Sequence, residues 1–349
     1  MDRLQYIDFS QPIYYSPEFN SYIVTDIDIA KKILIDSRFS SNRLQQKFEG
    51  RFSDIYVKEE KVVLDFFASW LMYSDGDRHI ENRKRISKFL SNTSKNVSIE
   101  RIIKNNLINP IVEFKEINLS NYSYEITCNI FSSLFSIENK QYKKIFESSK
   151  GFVEFMFKKS YSDNDLLDAY YSITSTKKLF SEMLQMSISE SEELSDMEIA
   201  LLLNIIVDGH DPLESSIKSF VMYLSEHMQV TKKEDINKCL SLYAPFTYCA
   251  RISKEDVVYG NIKILTNERV MCILPRKDRG EESIPFGHGK HRCPGALLVG
   301  QTLGFIWDEI LTLKKDYLLK CIDIKENKLF GLYSIDNITL KIEKKDWYN

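Results

Sequence analysis

The chain has 349 residues, enough for one large domain or two ordinary ones, and no Pro/Gly/Ser-rich linker divides it. Its formal charge of -3 gives no overall drive toward nucleic acid or an anionic membrane surface. Six cysteines (Cys128, Cys239, Cys249, Cys272, Cys293, Cys321) are scattered without paired spacing, which suits reduced thiols in a cytoplasm better than a disulfide framework.

Gly (12) and Pro (8) are scarce, and long stretches place apolar residues three and four apart, so the sequence predicts a mainly α protein with small β-sheets. The run from Met1 to Pro12 is mixed polar and aromatic and lacks the pattern of a secretory signal. No stretch is expected to supply the ~20 apolar residues that span a bilayer. Ser21 to Thr25 reads as a short strand and Asp26 to Leu34 as the helix after it.

Farther on, His79 and Arg83 are four apart, on one face of a predicted helix. Taken alone, such a basic pair is more often a solvated helix surface. Ser195-Asp196-Met197-Glu198 is a capping box that opens another helix. Its apolar run, Ile199 to Val207, has no polar face and predicts burial before it stops at Asp208-Gly209-His210-Asp211-Pro212. Asn261 to Leu265 and Arg269 to Leu274 read as a hairpin around Thr266-Asn267-Glu268, and Ile338 to Ile342 alternates as a late strand.

The densest signal is Phe286-Gly287-His288-Gly289-Lys290-His291-Arg292-Cys293-Pro294-Gly295. One reading is a buried reduced cysteine in a Gly-rich turn. Another takes His288, His291 and Cys293 as zinc ligands, although no nearby fourth ligand completes a tetrahedron. As a whole the ten residues resemble the proximal haem loop of the cytochromes P450, and the likeness extends in order over nearly the whole chain. It includes Trp70 to Arg83, Gly209-His210-Asp211-Pro212 and Leu242 to Arg251.

That resemblance implies one P450-like domain over residues 1–349, trimmed at the N-terminus. It implies haem b bound through the thiolate of Cys293, which would push electron density toward the iron and favour O–O cleavage. Gly287 and Gly289 would turn the chain so that backbone N–H groups reach the sulfur, Phe286 would cover it, and Gly295 would let the next helix approach the porphyrin. His79, Arg83, Arg251 and His291 would hold haem carboxylates. Gly209 would leave room for oxygen, with Asp211 as the proton-relaying acid.

Two departures stand out. The family's Glu and Arg ion pair falls on Lys238 and Ser241, and the segment that packs against it, Pro275 to Ser283, is short. The family's distal Thr is Pro212, which has neither hydroxyl nor N–H; Ser215 and Ser216 could supply a hydroxyl through water. The resemblance therefore implies a monooxygenase acting on a small organic substrate, with electrons from a ferredoxin or flavodoxin docked on Arg78, Lys84, Arg85, Lys88, Lys290 and Arg292. It leaves open an enzyme that uses peroxide or that rearranges or dehydrates its substrate, and a haem-poor partner or scaffold protein. Trp70, Leu71, Met72, Phe152, Phe155, Phe157 and Phe246 are candidate lining for an apolar pocket, or ordinary core. No nucleic-acid or membrane partner is expected.

Overall fold

The computed structural model describes residues 4–48, 50–158, 160–187, 194–227, 231–275, 283–327 and 331–345. Helices predominate and the strands form small sheets, as composition and periodicity predict. The chain divides into two units, one formed by residues 1–39, 98–130 and 211–349, the other by 40–97 and 131–210.

In the first unit, Ser21–Val24 pairs antiparallel with a strand that sequence reading missed, Ile13–Ser16, and parallel with Arg269–Ile273. Tyr248–Ser253 follows on that side, antiparallel to Arg269–Ile273, with the short strand Phe39–Ser40 next in the sheet. The helix Ile27–Ile35 begins where the Asp26 carboxylate accepts from the Ile29 N–H, satisfying an otherwise unpaired donor of its first turn. It lays Ala30, Ile33 and Leu34 on the sheet residues Val24, Val270 and Cys272. Each such burial is worth roughly 1.5–3 kcal/mol, so the sheet and helix form a firm base for whatever follows them.

The expected hairpin between Asn261–Leu265 and Arg269–Leu274 does not form. Ile262–Ile264 turns back on Val257–Tyr259 through Gly260, whose φ of +58° suits the tight reversal, while Arg269–Ile273 is drawn into the larger sheet. Val270 (0 % exposed) gains more burial between two strands than a two-stranded ribbon offers. The late strand is present as Ser334–Lys344, paired with Tyr317–Asn327 and Glu116–Asn118.

The helix Ala296–Asp316 is long and apolar enough to cross a bilayer by length and composition, against the expectation that no segment is. It packs Leu303, Ile306 and Ile310 into the core, and Trp307 Nε1 donates to Asp235 on the helix Lys232–Tyr243. At the positions expected for the Glu and Arg pair on the same helix, Lys238 is exposed and Ser241 half-buried. Most of the short segment from Pro275 to Ser283 lies outside the described residues.

In the second unit, the helices Val57–Ala68, Gly76–Thr93, Asn139–Phe157 and Asp163–Ser187 enclose an aromatic core. Phe66, Phe67, Trp70 and Phe152 meet edge to face with centroids 5.0–6.4 Å apart. Phe155 stacks on Phe48 at 5.3 Å. Phe152 and Phe155 are therefore core rather than pocket lining, and Phe157 is exposed. The long helix Asp196–His227 starts in this unit with the predicted capping box, Ser195 Oγ donating to Glu198 and accepting from its N–H.

Candidate functional site

The Cys293 loop is shaped by its backbone. Gly287 and Gly289 take φ of +71° and +69°, conformations that residues with a Cβ resist. The Gly287 N–H donates to Ile284 O, Arg292 N–H to Gly289 O and Cys293 N–H to Phe286 O, at 2.8, 3.1 and 2.8 Å. These amides close the loop on itself. Gly289 has a further reason to be glycine: a Cβ would fall 2.5 Å from Ile35 Cγ2 of the first helix.

Cys293 is exposed, so the buried-thiol reading fails, and Phe286 is half-buried. A Cβ on Gly295 would lie 3.7 Å from that sulfur, and the helix Ala296–Asp316 starts directly behind it. His291 is half-buried and its carbonyl lies near Gly287. Among the described residues His288, His291 and Cys293 do not converge into a ligand cluster, which removes the zinc reading. A single accessible thiol on a loop fixed by its own hydrogen bonds is the donor chemistry a haem iron requires on its thiolate side.

Arg251 lies on the strand Tyr248–Ser253 at 6 % exposure, its Nη1 donating to Ala250 O at 2.9 Å. A guanidinium this buried needs acceptors on all its faces. On the same strand, Cys249 Sγ would lie 3.6 Å from a Cβ on Gly287, so the strand runs beside the loop. Opposite it, burial pushes the Cys272 thiol up to about 12, whereas Cys293 is the most exposed of the cysteines.

In the second unit, His79 is 1 % exposed on the helix Gly76–Thr93, with Arg83 half-buried one turn on. Asn82 donates to Ser69 O at 2.9 Å and holds that face inward. The pair is thus no solvated helix surface. Arg85, placed in the docking patch by sequence, is spent on Glu81 and Glu198, both at 2.8 Å.

On the long helix, a Cβ on Gly209 would lie 2.7 Å from Phe131 Cζ, so the Cβ side of this glycine faces a phenyl ring. The helix continues through Pro212, whose neighbour Asp211 is exposed. Ser215 Oγ donates to Tyr333 O and Ser216 Oγ to Pro212 O, at 3.0 and 2.8 Å. Each hydroxyl has one proton, and both are engaged.

Sequence reading also missed Asn204 and Asp208, although two polar residues one turn apart in and just after an apolar run were a readable signal. Asn204 Nδ2 donates to Asp208 Oδ2, and burial pushes the Asp208 carboxyl up to about 7 against that bond. His210 is wholly buried, its Nδ1 2.8 Å from the Tyr142 hydroxyl and its ring stacked 3.9 Å from Phe146.

No protein-family model and no curated protein matches this sequence. Solved structures do. P450BioI, crystallised with an acyl carrier protein carrying hexadec-9Z-enoic acid, is 17% identical with a TM-score of 0.75, over 96% of each chain. The Bacillus subtilis bacillaene polyketide synthase cytochrome P450 PksS is 16% identical with a TM-score of 0.73, over 98% of each chain. CYP109E1 from Bacillus megaterium, in complex with testosterone, is 17% identical with a TM-score of 0.71, over 98% of this chain and 99% of its own. The chain has the cytochrome P450 fold from end to end.

Proposed function

We propose that this chain is a haem-thiolate oxidoreductase that acts on a small organic molecule, with haem b held by Cys293. The observation that carries the reading is the exposed Cys293 thiol, on a loop whose glycines and closing hydrogen bonds fix it in front of a helix. When bound, the haem would supply the oxidising chemistry. Phe286, Gly287, Gly289 and Gly295 hold the loop open to it. Arg251, His291, His79 and Arg83 are assigned to its carboxylates as bases able to donate charge-assisted hydrogen bonds. Asp211, exposed beside Pro212, is assigned to proton transfer with solvent. We assign the protein to the cytoplasm as one domain. The electron donor is a ferredoxin or flavodoxin that meets the exposed Lys290 and Arg292 of the Cys loop.

Pro212 favours a second reading. That position has no hydroxyl, and those of Ser215 and Ser216 are donated to the carbonyls of Tyr333 and Pro212. An enzyme that uses peroxide, or rearranges or dehydrates its substrate, needs no such hydroxyl.

The test is the absorption spectrum of the dithionite-reduced protein under carbon monoxide. The strongly red-shifted Soret band of a thiolate-bound haem is expected in the native protein and should vanish in Cys293→Ala. A native protein that takes up no haem overturns the enzyme reading and leaves a scaffold. Peroxide-driven turnover without a reductase separates the two enzyme readings.

A further inference from the structure

The long helix carries an ionisable group that the site above leaves unused. Asp208 stands at the end of the apolar run, half-buried, while Leu203, Ile206 and His210 on the opposite side are wholly buried. One carboxylate oxygen is fixed by Asn204, which is itself 5 % exposed and accepts at its other end from the Leu71 N–H at 3.4 Å. Among the described residues Asn204 is the only hydrogen-bond partner of Asp208, and no cation pairs with the carboxyl. Arg85, the arginine that reaches this helix, is held by Glu81 and Glu198, and Lys177 is held by Asp196. Half-buried Ile205, one turn before Asp208 on the helix, gives its surroundings an apolar side.

A half-buried carboxylate served by one neutral amide has half of its hydrogen-bonding capacity and all of its charge uncompensated. An organic cation supplies both, an alcohol supplies a hydrogen bond only, and an anion is repelled. Charge-assisted hydrogen bonds are about twice as strong as neutral ones, which makes the preference measurable.

We propose that Asp208, positioned by Asn204, anchors the ligand of this protein and selects small organic molecules that carry a cationic hydrogen-bond donor, an amine or guanidine, beside an apolar body. The proposal rests on the haem-thiolate reading in taking this helix as a wall of the substrate pocket.

The test is calorimetric titration of the purified full-length protein with hexylguanidinium, hexanol and hexanoate, at about pH 8, above the ordinary carboxyl range. A guanidinium ion has no free lone pair for an iron, so its binding reports on the pocket. Hexylguanidinium should bind at least about tenfold more tightly than hexanol, the ratio expected of one charge-assisted bond. Hexanoate should bind most weakly. In Asp208→Asn and Asp208→Ser the preference for the cation should disappear while hexanol affinity is kept. Equal affinities in the native protein, or a preference that survives in both variants, overturns the proposal.

A second measurement needs no variant. Titrations at about pH 7 in two buffers of different ionisation enthalpy should show protons released by guanidinium binding and none by hexanol, since burial raises the Asp208 carboxyl; equal release by both also overturns it. The carbon monoxide spectrum of the same preparations separates the two claims. A normal band without a cation preference removes the anchor and keeps the enzyme, whereas a preference without the band keeps the anchor and removes the enzyme.

Discussion

Adding one methyl group at Gly209 separates two accounts of the long helix. If the glycine were there to leave open space, Gly209→Ala would stabilise the fold by about 1 kcal/mol, the helix-propensity difference between the two residues. In the structure the new Cβ lies 2.7 Å from Phe131 Cζ and 3.1 Å from Cε1. The ring has little freedom to move away, because Phe131 is 2 % exposed and stacked 5.8 Å from Tyr142 at 19°. Overpacking of this kind costs about 1–3 kcal/mol; after the propensity gain a net loss of about 1–2 kcal/mol is expected. Phe131→Leu shortens the facing side chain and should relieve the clash. The assay is urea unfolding of the native protein, both single variants and the double variant. Their cycle should show coupling of about 1 kcal/mol or more in the direction of rescue. A neutral or stabilising Gly209→Ala, or strictly additive variants, would refute the packing account.

Other outcomes follow from the same structure. Trp307→Phe removes the donor to Asp235, a buried carboxylate, and should cost about 2–3 kcal/mol in urea unfolding; a loss below about 1 kcal/mol would show that this bond does not hold the helix pair. Gly289→Ala combines a φ of +69° with a Cβ 2.5 Å from Ile35 Cγ2, for an expected loss of about 2–3 kcal/mol. Adding Ile35→Ala should recover only the contact part of that loss, because the backbone strain stays. The Asp208 carboxyl, pushed up to about 7 from an unfolded value near 3.9, binds its proton more tightly when folded. Its contribution therefore favours the fold below about pH 4 and is lost as pH rises through about 7. The stability of the native protein relative to Asp208→Asn should fall between about pH 4 and pH 7 and level off above it; a difference that is flat or rises contradicts the shift.

Much of this molecule is readable from its chain. Short-range physics fixes the capping box at Ser195 and Glu198, the helix after Asp26 and the strand at Ser21, because each depends on neighbours within a turn or on one alternating face. The Cys293 loop is equally local: its glycines and closing bonds lie within a dozen residues. The placement of Arg269–Ile273 was not readable, since its alternation fits any partner and only the burial of Val270 between two strands decides which. Nor was the role of Gly209, which is set by a phenyl ring 78 positions earlier in the chain. Asp208 shows the division most clearly. Sequence places an acid after an apolar run, but desolvation and the bond from Asn204 act through space, and they decide that its carboxyl is raised above the range of an ordinary surface carboxylate.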